Sequence, residues 1–547
     1  MKNNPLFRTF LLFILLLASS LKAQDSLTLQ WLENKPRSIT KDFYIWQFLQ
    51  QEVTPHEVAF ALGEAKNVNS TLFALYAQKI NHDETYAVFQ CMNASATELL
   101  HTSSDCLSLG LTPSKALLLN YQEKKVAMDI LTTHYPQKVA MLKILNAPLP
   151  FTKLLSASPE LFFEIFNGIN MSFIEHYLNY KIPSNILLKL TSFSQFNQTI
   201  KRITTNHSLN NLQEALLIPF EKESLKQLSF QSLFFLALNA LQYEQKELAL
   251  SFLERANLKA YFKKDKDKIL FWQYKLTQNT ELLETLSNSY DINLYSLYAK
   301  ELLKKKITNV QYDITITSQN KSTVFNPKDP FAWLEIINAP LKSALEYETL
   351  FHTKETLPHL AYMYEKISGF QTFYFITPYK ESLKNYDLKR QALIYALAKK
   401  ESHFIPTAVS SSYALGVMQI MPFLSQTIAK ALNETYNIYD QFNPKVNLKY
   451  ANYHLDYLEK HLVNPLFIAY AYNGGIGFMK RTIEKGFAQS KHPFEPFLSM
   501  ELMSNDESRE YGKDVLANYV IYYNYLNKTE KLSLTTLLEN LSHNFPK

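Results

Sequence analysis

Residues 231–258 read QSLFFLALNALQYEQKELALSFLERANL, and this stretch decides the fold class. Leu233, Ala237, Ala240 and Leu241 recur at helical spacing, Tyr243-Glu244-Gln245 interrupts, and Ala249, Phe252, Leu253 and Ala256 repeat the pattern. Alanines set between large apolar residues let two antiparallel helices approach closely, as in tetratricopeptide-like pairs. Similar apolar-helical stretches run through residues 72–80, 116–131, 161–177 and 270–302. No strict period links them, so the reading is an irregular α-solenoid of helical hairpins over 24–310. Each hairpin can bury its apolar stripe only by stacking on its neighbours.

Composition points the same way. The chain has ten glycines in 547 residues, far below the ~7% of average usage. Glycine is disfavoured inside helices and used freely in turn-rich sheet proteins, so an all-α chain is expected. Six of the ten (Gly416, Gly474, Gly475, Gly477, Gly486 and Gly512) fall between 416 and 512, where backbone freedom is concentrated. Residues 312–331 break the helical pattern. Asp313-Ile314-Thr315-Ile316-Thr317 alternates as an extended segment would, and Asn326-Pro327 and Asp329-Pro330 cannot continue a helix. The solenoid is therefore expected to end near 310, with a helical linker over 311–380 and a further domain over 381–547. The run Lys263–Lys268, interrupted by Asp265 and Asp267, reads as a solvated turn between helices.

Residues 1–23 have the order of a cleavable secretory signal: basic Lys2 and Arg8, an apolar run from Phe10 to Ala18, and a Leu21-Lys22-Ala23 exit. That run is shorter than the ~20 residues that span a bilayer. No integral membrane segment is expected once it is removed, and no cysteine follows it to carry a lipid. Three of the six surplus positive charges (Lys2, Arg8, Lys22) lie in the leader, leaving about +3 on the remainder. So mild a charge does not call for nucleic acid and is compatible with an acidic polymer. Export into an oxidising compartment makes a Cys91–Cys106 disulfide the first expectation, with two buried thiols as the alternative. The thirteen histidines are scattered, with no His-Glu-x-x-His or paired-cysteine spacing, so no metal site is expected.

The chemistry-bearing residues all lie after 400. Leu393, Ile394, Leu397 and Glu401 share one helical face, which places Glu401 on the apolar stripe and not on the face of Lys399 and Lys400. A lone glutamate is ordinarily solvated. One forced onto a buried stripe has its charged form disfavoured and its pKa raised, as a general acid requires. Pro406 then ends the helix and leaves Glu401 near its last turn. In the loop Ser410–Met421, Gly416 permits close backbone approach and Gln419 offers both donor and acceptor to a sugar amide. Met418 and Met421 read as packing residues lining a cleft. Asn443-Pro444 predicts a turn before a helix over about 448–462, with Asn447 at its N-cap. The next helix ends in Tyr472-Asn473-Gly474-Gly475-Ile476-Gly477. This is no phosphate loop, since no strand precedes it and no Lys-Ser/Thr follows. Glu507, taken alone, reads as a salt-bridge partner of Arg509 or a nearby lysine.

The order Glu401-Ser402, Gly416-Val417-Met418-Gln419, Ala471-Tyr472-Asn473 and Glu507-Ser508-Arg509-Glu510-Tyr511 resembles the catalytic domain of the soluble lytic transglycosylases. That family shares a goose-lysozyme-like fold and carries a long helical superstructure ahead of its catalytic domain. Its pattern is Glu-Ser, Gly-Leu-Met-Gln, Ala-Tyr-Asn and Glu-Thr-Arg-x-Tyr, so Val417 replaces the usual Leu. The resemblance implies a periplasmic lyase acting on peptidoglycan glycan strands, with no cofactor. Glu401 would protonate the oxygen between N-acetylmuramic acid and N-acetylglucosamine, then accept the C6 hydroxyl proton as a 1,6-anhydro end forms. Ser410, Gln419 and Glu507 match positions that contact substrate, and Met421 one that lines the site. Tyr472 would hydrogen-bond near Glu401, and Asn473 would hold sugar or loop groups. Lacking a second closely spaced carboxylate motif, the sequence argues against a retaining hydrolase with a carboxylate nucleophile. Two rivals remain: a muramidase on the same fold, and an inactive wall-binding scaffold whose solenoid recruits cell-wall synthesis or division proteins.

Overall fold

The computed structural model describes residues 27–220 and 225–543; the leader expected at 1–23 lies outside them. The fold is all-α. Its one sheet among the described residues has two parallel strands, Val310–Gln311 beside Phe373–Tyr374, in the register Val310 to Phe373 and Gln311 to Tyr374. No described helix is long and apolar enough to cross a membrane. By their contacts the residues form two compact units, one comprising residues up to Phe89 together with Val409–Tyr413, the other Gln90–Ala408 and Ala414 onward.

In the first unit, short helices such as Ile39–Phe48, Pro55–Gly63 and Ser70–Lys79 start on side-chain caps from Ser38, Thr54 and Asn69. The buried Asp42 carboxylate accepts from the backbone N–H groups of Lys66 (2.7 Å) and Asn67 (3.0 Å). The loop Val409–Tyr413 belongs here: Tyr413 stacks on Trp46 with centroids 5.3 Å apart, and Asn69 donates to the Ser411 carbonyl at 2.9 Å.

The second unit contains the hairpin expected at 231–258, as helices Phe230–Gln242 and Lys246–Asn257. Glu244 takes a left-handed conformation (φ 58°) to turn the chain. The first helix is buried on nearly every side, and its one deeply placed amide, Asn239, donates to the Gln213 carbonyl at 2.9 Å. Cys91 and Cys106 are disulfide-bonded. Residues 313–317 form no strand. The neighbouring backbone of Thr317 and Ser318 instead donates to the Glu348 carboxylate, at 2.6 and 2.7 Å. Three helices, Pro330–Asn338, Ala344–Leu350 and Leu357–Ile367, follow and bury Trp333, Tyr347, Phe351, Leu360 and Met363 together with Ile405.

Two local expectations are corrected. The run from Lys263 is no solvated turn but the start of a helix, Lys263–Thr277, in which Asp267 and Lys268 are buried. Lys263 pairs with Asp267 one turn on, but the carboxylates that pair with Lys264 and Lys268 come from residues after 500, which no local reading could supply. The helix expected over 448–462 runs Pro444–Glu459 and is capped by Asn443, whose side chain accepts from Lys445 N–H. Asn447 lies inside it, fully buried.

The helix Leu388–Ser402 packs against the long helix Asp506–Leu526, which also receives Pro465–Gly474. Gly512 makes the latter approach possible: a Cβ there would sit 2.1 Å from the Tyr470 ring.

Candidate active site

Glu401 stands one residue before the end of the helix Leu388–Ser402. His403 and Phe404 both follow in the left-handed region, at φ 50° and 67°. Two successive non-glycine residues there store strain that surrounding packing must hold, and Phe404 is buried. Ser402 supplies one tie: its hydroxyl donates to the Val417 carbonyl at 2.7 Å, binding the acid-bearing turn to the loop Leu415–Ile420.

That loop is closed by reciprocal backbone bonds between Leu415 and Ile420, each 3.0 Å. Gly416 has φ 80°, and a Cβ on it would lie 2.2 Å from the Gln441 carbonyl, so only glycine fits. Asn447 organises the loop from beneath, accepting from Met418 N–H at 2.7 Å and donating to the Leu415 carbonyl at 3.0 Å. Gln419 is also left-handed (φ 48°), and its amide nitrogen donates to the carbonyls of Ala408 (3.0 Å) and Gly416 (2.8 Å). Met421, half-buried, is the residue from which the helix Pro422–Ala431 starts.

Tyr472 donates to the Met418 carbonyl at 2.8 Å rather than to Glu401. The hydrogen bond to Glu401 comes from Tyr511, whose hydroxyl lies 2.6 Å from Oε1. Asn473 donates to Glu507 at 2.9 Å and accepts from the Ser508 hydroxyl at 2.7 Å, joining the two late motifs. Arg509 pairs with Asp506 at 2.6 Å, so Glu507 is not engaged as the salt bridge its spacing first suggested. Ser410 falls in the first unit, where its hydroxyl accepts from Ser412 N–H at 3.3 Å.

Glu401 keeps some solvent access while its carboxyl is enclosed, and burial pushes its pKa up to about 7. The Tyr511 hydrogen bond and the Lys400 charge oppose that rise, and the Glu507 charge adds to it. Burial and the charge of Glu401 keep both Tyr472 and Tyr511 as neutral phenols far above neutral pH. The enclosed acid can therefore hold a proton near neutrality and still surrender it. Among the described residues, no group of three His, Cys, Asp or Glu side chains could hold a metal ion.

Sequence reasoning left Tyr511 and the Ser402 tie without roles and gave Asn447 only that of a helix cap. Tyr511 had a visible signal, since it ends the last motif one helical turn after Glu507. The loop-holding role of Asn447 had none, because its partners Met418, Leu415 and Gln441 all lie outside its own helix.

One enclosed acid thus stands at a helix end in an all-helical surrounding, tied to a glycine-hinged loop and close to two tyrosines. Residues 379–494 match the family described as the transglycosylase SLT domain. The chain is 29% identical over 154 residues to a Haemophilus influenzae protein assigned as a soluble lytic murein transglycosylase. The matched part is 28% of this chain and spans only 25% of that relative's length. Among solved structures, the 70 kDa soluble lytic transglycosylase of Escherichia coli aligns with 99% of this chain and 94% of its own, at 15% identity and TM-score 0.48. The inactive mutant of lytic transglycosylase Slt from Pseudomonas aeruginosa gives the same coverage, identity and score.

Proposed function

We propose that the protein is a peptidoglycan lytic transglycosylase that uses Glu401 as its single acid and then base. The observation that carries this reading is the state of Glu401, an enclosed carboxyl raised to about 7 and held by Tyr511 at 2.6 Å. A general acid is most effective when its pKa lies near the working pH. In the first step, protonated Glu401 gives its proton to the glycosidic oxygen as the C1–O bond of N-acetylmuramic acid breaks. In the second, the Glu401 carboxylate takes the C6 hydroxyl proton as that oxygen bonds to C1, regenerating the acid and leaving a 1,6-anhydro end. No water is consumed. Gln419, Met421, Tyr472, Asn473 and Glu507 are assigned to the substrate side, with Asn473 and Glu507 acting as a hydrogen-bonded pair. Residues from about 381 onward carry the chemistry, and action on the cell wall places the exported protein in the periplasm.

The test is to digest purified peptidoglycan with the full chain and weigh the released muropeptides. Anhydro ends, lighter by one water than reducing ends, are expected throughout. Reducing ends would make the protein a muramidase, and no release at all would leave a wall-binding scaffold.

A further inference from the structure

A buried cluster of charges lies outside the site and joins it to helices that contribute nothing to the motifs. From the helix Lys263–Thr277, Lys264 bonds Asp514 and lies 3.3 Å from Glu510, while Lys268 donates to Glu510 at 2.9 Å and lies 3.7 Å from Glu501. Lys513 donates to Glu501 (2.8 Å), Glu510 (3.0 Å) and the hydroxyl of Tyr295 (3.0 Å), which itself bonds Glu501. Asp514 also takes Lys400, at 2.8 Å. Lys268, Glu501 and Lys513 have side chains only 1% exposed.

Such a cluster is poor evidence for stability, because well-packed apolar residues would often serve at least as well. What buried, mutually satisfied charges can supply is a fixed arrangement. Here the arrangement bears on the acid. Glu510, Lys513 and Asp514 share one turn with Tyr511, and Lys400 immediately precedes Glu401. The charges acting on Glu401 are those of Lys400 and Glu507, and Lys264 is not among them. An influence of Lys264 is then carried by the groups it holds, Glu510 and Asp514, which flank Tyr511 on its helix.

We infer that Lys264 is a positioning residue for Glu401: by holding Glu510 and Asp514 it fixes the turn that presents Tyr511 to the acid. The helix Lys263–Thr277, far from every motif in sequence, is then part of the catalytic apparatus. The inference rests on the proposed reading of Glu401 as the acid.

The experiment uses the full chain carrying Lys264→Met, Lys264→Gln or Lys264→Arg, each alone and combined with Tyr511→Phe. Glu401 is titrated by infrared difference against Glu401→Gln, and kcat and KM on peptidoglycan are measured across pH. In Lys264→Met and Lys264→Gln the Tyr511 hydrogen bond loosens, so Glu401 titrates at higher pH and the alkaline limb of kcat moves up. A misplaced catalytic group should lower kcat by about tenfold with KM unchanged, and Lys264→Arg should restore both readouts. In the Tyr511→Phe background the Lys264 changes should add nothing to the titration. An unmoved titration in a folded charge-removing variant, or an equal shift without Tyr511, overturns the inference. Because the infrared titration needs no substrate, a full chain that leaves peptidoglycan intact would overturn only the functional reading.

Discussion

The hydroxyl of Tyr511 donates to Oε1 of Glu401 across 2.6 Å, and this bond opposes the burial that encloses the acid. Burial favours the protonated carboxyl, and a phenol donor favours the carboxylate. The balance leaves Glu401 at about 7. Both protonation states are then accessible near neutral pH, which a residue acting first as acid and then as base requires.

Replacing Tyr511 by Phe removes the largest influence holding the acid down, leaving burial and Glu507 to raise it further. The alkaline limb of the kcat profile should move to higher pH while the maximal rate falls. Measuring kcat on peptidoglycan between pH 5 and 9 checks this. A limb displaced to lower pH would show that the bond does not favour the carboxylate.

Glu401→Gln should fold and lose at least ~10²-fold in activity, the usual contribution of a positioned acid. It should also be more heat-stable than the parent, and the sign follows from linkage. Glu401 rises from an ordinary 4.5 to about 7 in the folded protein. Between those values the folded chain keeps a proton that the unfolded chain releases, so stability is full below the ordinary value and falls as pH rises. The neutral amide escapes that loss. Its gain in Tm over the parent should be small at pH 4 and largest above pH 7, and a gain confined to acid pH would contradict the burial of Glu401.

How far the sequence reached depends on the range over which each interaction acts. The hairpin at 231–258 was legible because its apolar spacing is local, and the scarcity of glycine reported an all-helical chain. Glu401 was legible because its helical face could be counted from Leu393 and Leu397. Lys263–Lys268 was misread because Glu501 and Glu510, which bury Lys268, lie more than two hundred residues away. Asn447 was placed at a helix start because such residues cap helices. Its amide instead replaces the backbone partners that the tight loop at Leu415–Met418 cannot provide for itself. Tyr472 was expected to hydrogen-bond near Glu401, and spacing alone could not tell that its acceptor is the Met418 carbonyl or that the bond to the acid itself comes from Tyr511.

Gly416→Ala tests the loop. The new methyl would meet the Gln441 carbonyl and the Asn447 side chain while the backbone stays in the left-handed region. Strain of about 1–3 kcal/mol is expected from the conformation alone, with the contact adding to it. Denaturant unfolding should show the loss, and activity should fall because Ser402 and Tyr472 both bond this loop. An unchanged midpoint would mean that the turn can be rebuilt without glycine.

The Cys91–Cys106 bond closes a loop of sequence separation 15. In the chain-entropy account such a cross-link stabilises by ~3 kcal/mol, by restricting the unfolded chain. Cys91 is buried, and Gly110 packs so closely on its carbonyl that a methyl there would lie 2.3 Å away. The native arrangement around Cys91 is therefore fixed by packing as well as by the bond. The double variant Cys91→Ala with Cys106→Ala should lower the unfolding free energy by roughly that ~3 kcal/mol. The pH dependence of activity should stay in place, since neither cysteine touches Glu401, Tyr511 or the lysines that grip their helix. Calorimetry with and without reductant, run beside the pH profile, separates the two effects. A shifted profile in the double variant would mean that this distant bridge also sets the position of the acid.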